Sequence, residues 1–208
     1  MRLETTSTSI RLVEALPDGM WAVRWDIKPL DDGVGLSYEE EQYAYVPSIE
    51  DIQRSITEWY NKQTESLIRY GFVWNGRKVY LSEENKFNFK AIIDECARVE
   101  TSIALWDKEH PDLAGADTVY SERTEANGEV VTFGEPTGRP QSLLPVTLKL
   151  GETNSPENFY VFKTLTELQN FFNAGVHHLI DAYGAGWMQI ANFDFEPYEE
   201  VLEKLMKK

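Results

Sequence analysis

The chain has 208 residues, a formal net charge of −15, 42% hydrophobic and 12% aromatic residues. That is ample apolar material for one sizeable domain, or one domain with an appendage, and it argues against wholesale disorder. No run of eighteen apolar residues occurs, so no membrane-spanning helix is expected, and the single Cys96 cannot close an internal disulfide.

The opening stretch MRLETTSTSIRLVEAL lacks the continuous apolar segment of a signal peptide. Charge is spread along the chain: residues 1–104 carry −6 and residues 105–208 carry −9, and between Leu150 and Glu203 the one basic side chain is Lys163. Such a surface repels phosphate backbones and anionic lipid, so neither nucleic acid nor a membrane is expected as a partner. Solubility is the simplest use of the charge.

Residues 1–46 read as a β meander. Ser9 to Glu14 alternates polar and apolar positions, Pro17-Asp18-Gly19 is a turn, and Met20 to Ile27 alternates again with Trp21, Val23, Trp25 and Ile27 on one face. Asp31-Asp32-Gly33 is a second turn, after which Tyr43 to Val46 is expected to return as a third strand.

Pro47-Ser48 opens a helix, with Ser48 and Asp51 at capping-box spacing. Its apolar stripe is Ile49, Ile52, Ile56, Trp59, Tyr60, Gln63 and Leu67, and Gly71 is its expected stop. A hairpin follows: Phe72 to Trp74 and Arg77 to Leu81 flank Asn75-Gly76, a type I′ pair because both residues accept positive φ. Ser82 caps a second helix whose stripe is Phe89, Ile92, Ile93, Cys96, Val99, Ile103 and Trp106, and His110-Pro111 ends it.

Asn127-Gly128 between Thr118 to Thr124 and Glu129 to Phe133 predicts a second I′ hairpin, more polar and at the surface. Gly134 to Pro140 reads as a connector, and Pro145 to Leu150 and Phe159 to Lys163 as two strands. Thr164 and Glu167 form a capping box for a third helix, which Gly184-Ala185-Gly186 is expected to stop; Pro197 opens a short last helix to Lys208. Helices alternating with hairpins, rather than with single strands, predict an α+β fold with antiparallel hairpins packed on three longer helices and a short C-terminal one.

The chemistry-bearing residues form no reaction centre at this level. Neither GxxxxGK[ST] nor GxGxxG occurs, and Gly33-Val34-Gly35 sits in a turn. His177 and Asp181 lie i,i+4 on the third helix and could share a metal, but no third ligand follows and no HExxH is present. His178 lies between His177 and Leu179, and a polar helix face explains the pair. Cys96 falls on an apolar stripe, the ordinary place of a buried thiol, and no GxSxG marks a serine nucleophile. A calcium loop over Asp26 to Asp32 fails because Lys28 and Leu30 occupy ligand positions. No catalytic, cofactor-binding or metal residues are assigned, no cofactor is expected, and the chain is read as non-enzymatic.

The segment Ile52 to Tyr70, then Gly71-Phe72-Val73-Trp74-Asn75-Gly76, then Val79-Tyr80-Leu81-Ser82-Glu83-Glu84-Asn85, Asn88 and Lys90-Ala91, resembles an uncharacterised domain family of phages and prophages. Leu144 to Gly151, Phe159 to Phe162 and Gly186-Trp187 continue the likeness, which spans about Pro47 to Tyr198. That family is often found in gut Bacteroidales and is associated with tail or tail-fibre assembly proteins. The resemblance implies two parts, a β meander or attachment arm over 1–46 and an α+β phage-type domain over 47–208. It further implies a structural or assembly protein made in the bacterial cytoplasm, with the virion as a further destination. Its partners would be other phage tail proteins or copies of itself. The family brings no catalytic residues to carry over. The alternative is a carbohydrate-binding or carbohydrate-cleaving tail accessory module, for which Trp21, Trp25, Trp74 and Trp187 could supply stacking faces.

Overall fold

The computed structural model describes residues 2–7, 9–31 and 33–207. Asp32, in the turn over 31–33 and at the end of the calcium-loop comparison, and Lys208, the expected end of the last helix, lie outside the described residues. The α+β class is as expected, and every paired strand is antiparallel. Among the described residues there are four α-helices: α1 (Ile49–Tyr70), α2 (Glu83–Glu109), α3 (Leu165–Ala191) and α4 (Glu196–Met206). Contacts divide the chain into two compact units, Met1–Glu65 with Ala182–Lys208, and Ser66–Asp181. The chain passes between them inside α1 and again inside α3.

The first unit is built on a four-stranded sheet, β1 (Arg2–Thr5), β2 (Val13–Ala15), β3 (Trp21–Pro29) and β4 (Leu36–Tyr43), in the order β1-β4-β3-β2. The Pro17-Asp18-Gly19 turn and the strand after it stand where expected, with Gly19 N–H donating to the Leu16 carbonyl at 3.1 Å, but of the expected segment 9–14 only Val13 and Glu14 lie in β2. The returning strand runs through Leu36–Tyr43, and of the expected segment 43–46 only Tyr43 lies in it. The strand carries the run Glu39-Glu40-Glu41, which looks solvated in sequence. The sheet holds it because Arg2 pairs with Glu39 and Arg24 with Glu40.

Val23 and Trp25 of β3 face a core shared with Val13, Ile52 and Ile56 of α1, and Tyr198 and Leu202 of α4. The ladder shifts register between Trp25 and Lys28, where Asp26 takes φ +48°, so Ile27 does not continue that face. The Tyr198 hydroxyl donates to the Arg24 carbonyl at 2.8 Å and fixes α4 to the sheet. The division expected from sequence, 1–46 and 47–208, differs from the observed one for this reason: the sheet closes its core on α1 and α4 rather than standing apart from them.

The helix ends follow their caps. Ser48 Oγ accepts from Asp51 N–H at 3.2 Å while the Asp51 carboxylate accepts from Ser48 N–H at 3.1 Å, which satisfies two otherwise unpaired donors at the start of α1. The α1 stripe departs from expectation in its second half: Gln63 and Leu67 are exposed, and Thr64 and Ile68 are buried instead. Thr64 is inward because α3 approaches it closely at Gly186, where a β-carbon would stand 2.1 Å from Thr64 Oγ1. That contact also explains why a glycine stands at 186 inside α3 without ending it. Gly186 is a packing glycine, and the helix continues through it to Ala191.

Among the described residues, the second unit buries no charged side chain in its interior. Its two-stranded sheets are β5 (Val73–Trp74) with β6 (Arg77–Lys78), β7 (Thr118–Thr124) with β8 (Val130–Pro136), and β9 (Val146–Lys149) with β10 (Phe159–Phe162). In the first hairpin Asn75 and Gly76 take φ +48° and +77°, as a type I′ turn requires. Phe72, Val79 and Leu81 join Phe89, Ile93 and Cys96 of α2, Leu148 and Leu150, Phe162, and Leu168 and Phe171 of α3 in one core. The second Asn-Gly hairpin closes differently. Only Gly128 has positive φ, Gly128 N–H donates to Glu125 O at 2.9 Å, and Glu125 N–H donates to Glu129 O at 2.8 Å. The loop is therefore one residue longer than I′, with Gly128 supplying the left-handed position.

Candidate interaction surfaces

Two of the three histidines have structural roles. The His178 ring lies 5.6 Å from the Phe72 ring, nearly parallel to it, and its Nε2–H donates to the Leu67 carbonyl at 3.0 Å. Leu67 O also accepts from Gly71 N–H at 2.7 Å. His178 thus helps to cap the C-terminal turn of α1, where carbonyls lack helical partners. His110 does the same for α2: its Nδ1–H donates to Trp106 O at 3.0 Å and its ring stacks on Trp106 at 4.4 Å.

His177 and Asp181 are exposed, and among the described residues no group of three or more His, Cys, Asp or Glu is placed to hold a metal ion. Cys96 is buried among apolar side chains, and burial, with smaller contributions from Glu100 and Glu95, pushes its thiol up rather than down. A reactive thiolate needs the reverse.

Two of the four tryptophans considered as stacking platforms face inward. Trp25 is 3% exposed, Trp74 packs edge-on to Phe171, and the indole N–H of each is buried without a hydrogen-bond partner. Trp21 is half-buried. Trp187 is different: it is 66% exposed on α3, with Tyr183 stacked on it at 5.8 Å and Met188 beside it, also exposed. The expectation that Gly186-Trp187 follows the third helix is corrected here, since both residues lie within it. The helix therefore presents an aromatic face to solvent, a feature that periodicity alone assigned to no surface.

The first unit also carries a groove of about 690 Å³. Trp21, Val46, Pro47 and Ile49 form one wall, and Leu202, Leu205 and Met206 of α4 form the other. Glu50, Glu199 and Glu203 line its edges. An apolar floor with an acidic rim matches a segment that offers apolar side chains flanked by lysine or arginine. The signal was present in sequence as Glu199 and Glu203 on the short last helix, but the opposite wall comes from residues more than a hundred positions away.

The second unit holds a smaller cleft, about 210 Å³, between α2 and α3. Phe72, Leu81, Phe89, Phe171, Phe172, Val176 and Leu179 give it apolar walls, and Gly175 leaves a gap where any side chain would project toward Phe72. Lys86 and Lys90 are its charged members.

Set against family models, curated proteins and solved structures, the chain finds no match. No helix among the described residues is long and apolar enough to cross a membrane.

Proposed function

We propose that this chain is a non-enzymatic structural or assembly protein of a phage or prophage tail or tail fibre, acting through protein–protein contacts. The setting rests on the sequence likeness over residues 47–198. The mode of action rests on one observation, the acidic-rimmed apolar groove of the first unit. Exposed apolar concavities bordered by polar residues mark interaction sites on soluble proteins, and a rim of one charge sign selects partners of the other.

The test uses charge reversal at exposed rim positions, which leaves the core untouched. Glu199→Lys with Glu203→Lys should abolish co-elution with the tail or tail-fibre protein encoded beside this gene, and raising salt should weaken the wild-type complex. Unchanged co-elution of the double variant sinks the groove as the contact. A gene flanked by no tail genes sinks the setting.

The carbohydrate reading keeps one specific support, the solvent-facing Tyr183–Trp187 stack. A glycan array that gives signals with wild type and none with Trp187→Ala would move the proposal to that class; an array without signals removes it.

A further inference from the structure

We propose that the cleft between α2 and α3 in the second unit is a binding site for a small hydrophobic monocarboxylate, its carboxylate held by Lys86 and Lys90 and its apolar part lodged against Phe89, Phe172, Val176 and Leu179. The observations are independent of the groove. The walls are aromatic and aliphatic, and the two charged residues that line them are both cations, in a chain whose net charge is −15. Lys86 and Lys90 are four residues apart on α2 and so share one helix face.

The Lys86 side chain is only 21% exposed, so its stem lies along the apolar wall and its ammonium sits at the edge. Its ion pair partner, Glu83, is 89% exposed, and Lys90 and its partner Asp94 are 56% and 60% exposed. Exposed pairs of this kind contribute little and exchange readily. A ligand carboxylate that arrives with an apolar tail can replace them, because the tail is desolvated in the cleft while the charge stays at the mouth.

Size sets the class of ligand. A dry cavity of about 150 Å³ accepts a benzene ring, so the 210 Å³ here suits one aromatic ring or a medium alkyl chain rather than a long lipid. Gly175 is the residue that keeps this space. A β-carbon there would stand 3.5 Å from the Phe72 ring, an ordinary contact, so alanine is tolerated while larger side chains fill the cleft.

The experiment titrates the full chain with octanoate and, in parallel, with the uncharged octan-1-ol, following the methyl resonances of Leu81, Val176 and Leu179 by NMR. Octanoate should shift these methyls and bind about tenfold more tightly than the alcohol, the ratio expected when one charge-assisted contact decides the difference. Lys86→Gln with Lys90→Gln, at the mouth and outside the core, should erase that preference and leave alcohol binding unchanged. Gly175→Val should weaken both ligands. Shifts at other residues, equal affinity for acid and alcohol in wild type, an undiminished preference in the lysine variant, or no saturable binding would each overturn the proposal.

Discussion

In the first unit, β3 buries Val23 and Trp25 on one face and Arg24 on the other, and Arg24 reaches Glu40 and Glu14, both at 2.7 Å. Its guanidinium also lies 5.5 Å over the Tyr38 ring, and its Nη1 donates to the Arg11 carbonyl at 3.2 Å. In the second unit Phe171 touches four aromatic neighbours, Phe72, Trp74, Phe89 and Phe162, and no charge lies among them. All the buried polar or charged side chains recorded among the described residues, Arg24, Ser37, Glu39, Glu40 and Thr64, belong to the first unit. Burying an ion pair costs desolvation that its Coulomb attraction roughly repays, whereas burying a ring is favourable outright. The polar face of the first unit therefore adds little net stability beyond what apolar side chains would. The second gains cohesion from its rings.

The same difference governs what could be read in the sequence. In the second unit apolar residues fall at clean helical or strand spacing. The Asn75-Gly76 turn, the Ser82 cap and the α2 stripe through Cys96 and Ile103 all stand where the pattern places them. In the first unit the run Glu39 to Glu41 breaks the alternation of β4, and β1, Arg2–Thr5, is only four residues long, so neither strand stands out by its pattern. Their partners, Arg2 with Asp26 and Arg24 with Glu40, are distant in sequence, and pairing at a distance has no local period. Gly186 misled for a related reason. A glycine that ends a helix and one that admits a neighbouring helix look alike until the neighbour, Thr64, is known. Of the surfaces, the groove shows in sequence only through Glu199 and Glu203, and the cleft not at all, because each is lined by elements far apart in the chain.

The largest test removes residues 1–46. Sequence division would leave 47–208 folded; the shared core instead predicts that Ile52, Ile56, Tyr198 and Leu202 lose their cover and the first unit unfolds. Methyl NMR reads the outcome directly: Ile52 and Ile56 should lose dispersion. Retained dispersion of both would show that the sheet is an appendage after all.

Phe171→Ala attacks the ring cluster of the second unit and should cost about 4 kcal/mol, the range for truncating a buried phenylalanine. Arg24→Met attacks the polar face of the first. It takes the guanidinium away from Glu40, which keeps the Gln42 side-chain amide as a donor at 2.7 Å, and should cost about 3 kcal/mol, the low end for a broken buried pair because Glu40 keeps that donor and Glu14 is a third exposed. Urea titrations of the two variants compare them. If Arg24→Met is neutral or stabilising, the network adds nothing to the first unit beyond what an apolar side chain would, and the contrast between the cores is one of composition only.

The smallest effect is read through pH. Burial holds the Tyr198 phenol well above its ordinary value of 10.0, whereas in the unfolded chain it ionises near pH 10. Above that pH the native state keeps a proton that the unfolded state has lost, so stability falls as pH rises, beginning near 10. Glu167 in the second unit has the opposite sign. The Tyr160 hydroxyl donates to it at 2.6 Å and, with the Lys163 N–H, holds its carboxyl below the usual range. Its contribution is present above the unfolded value of about 4.3 and is lost as pH falls. Tyr198→Phe should cost about 1 kcal/mol at neutral pH, for the bond to the Arg24 carbonyl, and should flatten the alkaline decline while leaving the acid side unchanged. A wild-type alkaline slope that survives the substitution would assign that decline to other groups and leave Tyr198 with its hydrogen bond alone.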